Sequence, residues 1–170
     1  RMHERPIGDL VEALNGIGTK IDYLETPGYP PLQIGLPALK KNTVIKVAGS
    51  VSSQFLTALL MASPILAKKL NQAIEIEVEG ELISKPYIAI TLNLMQRFGV
   101  EVENQDWQRY IIAADVEYIS PKEIWVEGDA SSASYFFALG LLAEGPIRIC
   151  GINKHSIQGD ILFADFVEKI

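Results

Sequence analysis

The chain has little sulfur and little imidazole: one cysteine, Cys150, and two histidines, His3 and His155, in 170 residues. A single cysteine excludes an internal disulfide and a cysteine-rich zinc site, and it fits a reducing cytoplasm. The two histidines lack metal-ligand spacing, so no metal centre is expected. No apolar run reaches the ~18 residues that a membrane span needs. The longest, Phe55 to Ala67, is interrupted by Thr57, Ser63 and Pro64. The opening Arg-Met-His-Glu-Arg has no apolar core behind it, so it does not read as a signal peptide. Positive charge is also scarce: 15 Lys and Arg stand against 21 Asp and Glu. That balance leaves no broad basic footprint for nucleic acid. It does not exclude a small anionic ligand, which needs only a few local donors. Gly-x-Gly-x-x-Gly, Walker and nucleophile-elbow patterns are missing as well.

What is present reads as a folded α/β protein. Hydrophobic residues make up 48% of the chain, and the net charge is −6, so disorder is excluded. Apolar periodicity predicts helices over Pro6–Ile17, Ser52–Leu66, Lys85–Phe98, Ala130–Leu142 and Asp160–Ile170. Alternation predicts strands over Lys20–Leu24, Thr43–Ala48, Ile74–Glu79, Ile124–Glu127 and Ile147–Cys150. Val100–Glu103 and Arg109–Ala113 read as a hairpin, Thr26–Pro31 as a loop and Lys68–Gln72 as a turn. Helical patterns run close to both ends and the first residue is Arg1, which reads as a piece of a longer protein.

A repeat organises these elements. Val47-Ala-Gly49-Ser-Val-Ser52-Ser53 returns as Val126-Glu-Gly128-Asp-Ala-Ser131-Ser132, about 80 residues later. Both copies read as strand, glycine turn, paired serines and apolar helix. A looser pair sets Arg5-Pro6 and Gly18 against Lys85-Pro86 and Gly99. The unit is βαβαββ, and the chain holds the end of one unit, one whole unit and the start of a third.

The helix starts carry the candidate chemistry. The first turn of a helix offers unpaired N–H groups and a partial positive charge. Gly49 allows close backbone approach, and Ser52 and Ser53 add hydroxyls, which suits an anion such as phosphate. Gln54 extends the donor set. Ser84 and Tyr87 stand at the next helix start, and Arg5 offers a forked, permanently charged partner for phosphate or carboxylate. The same serines also make ordinary N-caps, and a non-catalytic module using them only as caps is the competing reading. Asp129 either meets a ligand or caps its helix, and His155 and Lys154 sit in a loop without an assigned role.

Four segments together resemble a known family. Arg5-Pro6-Ile7-Gly8, Gly49-Ser50-Val51-Ser52-Ser53-Gln54-Phe55, Ser84-Lys85-Pro86-Tyr87 and Gly128-Asp129-Ala130-Ser131-Ser132 resemble the bacterial 3-phosphoshikimate 1-carboxyvinyltransferases, the EPSP synthases. The UDP-N-acetylglucosamine enolpyruvyl transferases share the fold but are not expected to carry the same pair of serine motifs. The resemblance implies two domains of three βαβαββ units each. Residues 1–127 would be the later part of the shikimate 3-phosphate-binding domain, and 128–170 the start of a unit in the other domain. It implies transfer of the enolpyruvyl group of phosphoenolpyruvate to the 5-hydroxyl of shikimate 3-phosphate, with no cofactor and no metal. The enzyme would be cytoplasmic and monomeric, and would bind neither nucleic acid nor membrane. By that resemblance Ser52, Ser53, Gln54, Ser84 and Tyr87 meet shikimate 3-phosphate. Arg5 and Gln54 meet phosphoenolpyruvate. The family's catalytic carboxylates lie outside these residues, so the chain by itself is expected to be inactive.

Overall fold

In the computed structural model, residues 1–50, 52–143 and 146–169 are described. Val51 of the serine motif and Ile170 of the last expected helix therefore lie outside the described residues. The chain divides into two compact units, Arg1–Ser120 and Pro121–Ile170.

The first unit is a four-stranded sheet covered on one face by helices. β3 (Ile45–Ala48) pairs parallel with β4 (Ile74–Glu79), and β4 pairs antiparallel with β6 (Arg109–Ile112), which pairs with β5 (Glu103–Gln105). The registers Ile45↔Ile76, Val47↔Val78 and Ile76↔Tyr110 put the apolar set on one face, as a period of two requires. Lys46, Glu75, Glu79 and Arg109 alternate with that set; Lys46 meets Glu79 at 3.5 Å, and Arg109 pairs with Glu75. On the apolar face lie α2 (Ser53–Leu70) and α3 (Lys85–Arg97), through Leu56, Leu59, Leu60, Ala67, Ile88 and Met95. Each fully buried Leu or Ile contributes about 1.5–3 kcal/mol. The Tyr110 hydroxyl is buried in this core without a partner among the described residues, and burial pushes its pKa up to about 12.

Several boundaries differ from the sequence reading, each for a local reason. α2 continues through Pro64 to Leu70, so Lys68–Leu70 is helix and not turn. Pro64 and Ser63 both face the core, and the Ser63 hydroxyl donates to Leu59 O at 2.7 Å. Lys68 and Lys69 suit the negative end of the helix, and Asn71 closes it in the left-handed region. α1 runs over Gly8–Gly16, so Pro6 precedes the helix instead of opening it. Gly18 follows its end: its φ is +94°, and a Cβ there would lie 2.1 Å from Ala38 O. β2 (Leu32–Ile34) pairs with β1 (Ile21–Tyr23) across the expected loop, and three residues were too few to show a period. The hairpin forms, but its first strand is Glu103–Gln105 and not Val100–Glu103.

The second unit holds α4 (Ala130–Leu142) and α5 (Leu162–Val167), the latter entered through a 3-10 turn at Gly159–Ile161. The strands expected at Ile124–Glu127 and Ile147–Cys150 do not form among the described residues. A strand needs a ladder, and none forms here; just beyond the two segments Gly128 N–H donates to Gly151 O at 2.7 Å. The Glu127 carboxylate instead accepts from Asn153 N–H and Ser156 Oγ.

Candidate functional site

β3 and β4 are parallel neighbours, so their carboxyl ends lie side by side. Each feeds a helix start: Gly49 to Ser53 leads into α2, and Gly80 to Ser84 leads into α3. Gly49 locks the two connections together. Its N–H donates to Glu79 O at 2.9 Å, and its carbonyl accepts Ile83 N–H at 3.1 Å. A Cβ at Gly49 would stand 2.6 Å from Val78 Cγ1 and 2.8 Å from Glu81 O. Only glycine lets the backbones approach this closely.

The two helix starts open into a cleft of about 600 Å³. Ser52, Ser53, Gln54, Ser84 and Tyr87 all line it, with Thr57, Ala58, Met61, Ile83, Ile90 and Thr91. The structure thus gathers five of the six residues singled out in the sequence. Arg5 is not among the lining residues; it is exposed, in extended backbone just before α1. α1 packs chiefly on β3 and β1, whereas α2 and α3 pack on one another. Two helix starts therefore converge, and the third does not join them at this cleft.

The serines differ in their duties. Ser52 is the N-cap of α2, and its Oγ accepts from Gln54 N–H at 3.2 Å. Ser53 and Ser84 hydroxyls have no hydrogen-bond partner among the described residues, and neither does the side-chain amide of Gln54. Ser84 also adopts a left-handed backbone, φ 58° and ψ 36°, which is uncommon outside glycine. None of the lining residues carries a formal charge. The cleft therefore offers hydroxyls, an amide and helix dipoles at one end and an apolar wall at the other. That set orients a polar or anionic group beside an apolar or ring-shaped body. Neutralising a doubly charged anion there needs cations from elsewhere.

Thr57 and Thr91 are cleft residues that reading the sequence missed. The signal was available: Thr57 follows Ser53 by four residues and Thr91 follows Tyr87 by four, so each shares a helix face with a chosen residue.

The second copy of the repeat looks different. Asp129 caps α4, accepting from Ser131 N–H and Ser131 Oγ, both at 3.0 Å, and from Ser132 Oγ at 2.6 Å. The hydrogen bonds from Ser132 and then Ser131 hold this exposed carboxyl below its usual pKa. Here capping wins over ligand contact as the role of Asp129 in this structure.

This is an α/β repeat fold with a hydroxyl-lined cleft at the carboxyl ends of two parallel strands. The family model for EPSP synthase (3-phosphoshikimate 1-carboxyvinyltransferase) matches residues 1–170. A 3-phosphoshikimate 1-carboxyvinyltransferase from Herminiimonas arsenicoxydans is 59% identical over 170 residues, covering 100% of this chain and 38% of the relative. One from Cupriavidus taiwanensis is also 59% identical, over 100% of this chain and 39% of the relative. One from Bordetella parapertussis is 58% identical over 164 residues, 96% of this chain and 37% of the relative. Among solved structures, EPSP synthase from Acinetobacter baumannii shares the fold with a TM-score of 0.61 at 20% identity, over 85% of this chain and 30% of that one. The chain belongs to the EPSP synthase family and spans about two-fifths of the length of these curated relatives.

Proposed function

We propose that the cleft between the starts of α2 and α3 is the shikimate 3-phosphate half-site of a 3-phosphoshikimate 1-carboxyvinyltransferase. The observation that carries this reading is the meeting of Ser52, Ser53, Gln54, Ser84 and Tyr87 in one cleft. The free hydroxyls of Ser53 and Ser84 donate to the phosphate, with Ser52 beside them. Tyr87 lies against the ring, and Gln54 reaches from the phosphate end toward the transferred group. In the reaction, the 5-hydroxyl oxygen of shikimate 3-phosphate bonds to C2 of phosphoenolpyruvate, and its proton leaves to a base. A proton adds at C3, and the resulting tetrahedral intermediate then expels phosphate and loses a proton at C3 to restore the double bond. The cleft's share is to bind and orient the acceptor, which lowers the entropic part of the barrier.

Arg5 stands apart from this cleft, and its role is contact with phosphoenolpyruvate in the longer protein. Residues 1–127 belong to the shikimate 3-phosphate domain and 128–170 to the other. An uncharged cleft binds a dianion weakly without added cations, and its lining holds no carboxylate, so the 170-residue chain binds the acceptor weakly and turns over nothing. The enzyme acts in the cytoplasm as a monomer. An NMR titration of the labelled chain with shikimate 3-phosphate tests the reading. Saturable shifts are expected at Ser52, Ser53, Gln54, Ser84 and Tyr87. A dispersed spectrum with no shifts at millimolar ligand, or shifts located elsewhere, overturns it.

A further inference from the structure

In the wall of the cleft, α2 and α3 are joined by hydroxyls. Thr57 Oγ1 lies 3.1 Å from Thr91 Oγ1, and Thr91 Oγ1 donates to the Tyr87 carbonyl at 3.0 Å. Thr91 has one hydroxyl proton, and the Tyr87 carbonyl takes it. Thr57 must therefore be the donor across the bridge. The result is a directed chain, from the Thr57 hydroxyl through the Thr91 hydroxyl to the backbone of Tyr87. Thr91 is 8% exposed, so its hydrogen bonds are shielded from competing water. The chain ties the second turn of α2 to the first turn of α3, where Ser84 and Tyr87 stand. Two hydroxyls can approach to 3.1 Å because they share a proton, and two methyl groups cannot, so the closeness of α2 and α3 at this point depends on the hydrogen bond.

We propose that Thr57 and Thr91 are positioning residues. Their hydroxyl chain sets the first turn of α3, with Ser84 and Tyr87, at a fixed separation from Ser53 and Gln54. The ligand part of this inference rests on the cleft being the half-site described above; the geometric part does not.

The test uses the full 170-residue chain with Thr57→Val, Thr91→Val and Thr91→Ser. Amide resonances of residues 84–88 are first compared without ligand, and then Kd for shikimate 3-phosphate is measured by titration. Both valine variants are expected to move the resonances of Ser84 and Tyr87 and to raise Kd by about tenfold. Thr91→Ser keeps the hydroxyl, so it should restore both readouts. Valine variants with unmoved resonances at 84–88 overturn the proposal. So does a Kd change that the serine variant shares. If Thr91→Val does not fold, Thr57→Val, at a partly exposed position, decides alone. A wild-type chain that binds no shikimate 3-phosphate defeats the half-site reading, and the ligand-free resonances still decide the positioning role.

Discussion

The same motif opens α2 and α4, yet the two helix starts spend their hydroxyls differently. At α2 the helix is capped by Ser52, and Ser53 is left without a partner among the described residues. At α4 the cap moves two residues earlier in the motif, to Asp129, where the first copy has Ser50. The Asp129 carboxylate then takes the hydroxyls of both Ser131 and Ser132. Of the three positions at which the copies differ, the one after the glycine supplies the carboxylate that closes the donor set of α4. A carboxylate at a helix start satisfies the donors and complements the dipole, and it repels any second anion. The contrast extends to the units. The first buries Leu59, Leu60, Ile76, Ile88 and Tyr110 almost completely, whereas α4 buries only Ala130 and Ala133.

The largest expected difference is in protection from exchange. Amides in the middle of α2 should exchange roughly a hundredfold more slowly than those in the middle of α4, because opening α2 exposes a core. Hydrogen exchange followed by NMR measures this, and equal protection would break the comparison at its root. Next comes Gly49→Ala. Its methyl meets Val78 Cγ1 and Glu81 O, so a loss of about 2–3 kcal/mol is expected in denaturant melts. Gly128→Ala meets Gly151 O at 2.9 Å in a unit with little buried around it, and should cost less.

The serines sharpen the comparison further. Ser53→Ala should leave the melting curve in place and weaken shikimate 3-phosphate binding by about 10- to 100-fold, the worth of a hydrogen bond to a charged group. Ser132→Ala should leave binding in place. Ser52→Ala loses the cap and about 1 kcal/mol of stability. A melting change for Ser53→Ala as large as that for Ser52→Ala would mean that both serines serve the helix.

The smallest effect is on pH. Hydrogen bonding lowers the Asp129 pKa below 3.8, so the folded chain releases this proton more readily than the unfolded one. Its contribution is present above pH 3.8 and is lost as pH falls through the depressed value. The first turn of α4 should loosen there, while that of α2, capped by a serine, should not respond. Resonances of Ser131 and Ser132 followed between pH 5 and pH 2 check this (the range is about the one in which a carboxylate cap titrates). Asp129→Asn should abolish the difference.

Much of the first unit was legible because its signals are local. Alternation in Ile74–Glu79 named a half-buried strand, and the apolar period over Lys85–Phe98 stopped within a residue of the end of α3, just before Gly99 at φ +80°. The strands expected at Ile124–Glu127 and Ile147–Cys150 had the right composition but lack a ladder, and pairing is a property of neighbours, not of a segment. The end of α2 misled for a different reason. Lys68–Gln72 reads as a turn, but burial of Ala67 and the fit of Lys68 and Lys69 to the negative end of the helix carry α2 on to Leu70.

By itself the sequence determined which residues are candidates for the chemistry, where most helices begin, and that the serine motif repeats. Serines, glycines and apolar periods act over a few residues, so they can be read in order along the chain. The tertiary structure decided which of these helix starts share a cleft. It brought Ser53 and Ser84 together because β3 and β4 run parallel and side by side, joined through Gly49. It left Arg5 outside the cleft, gave Asp129 the hydroxyls of its own helix, and linked Thr57 to Thr91 across 34 residues of chain. Those outcomes depend on distances between segments remote in sequence, and only packing sets such distances.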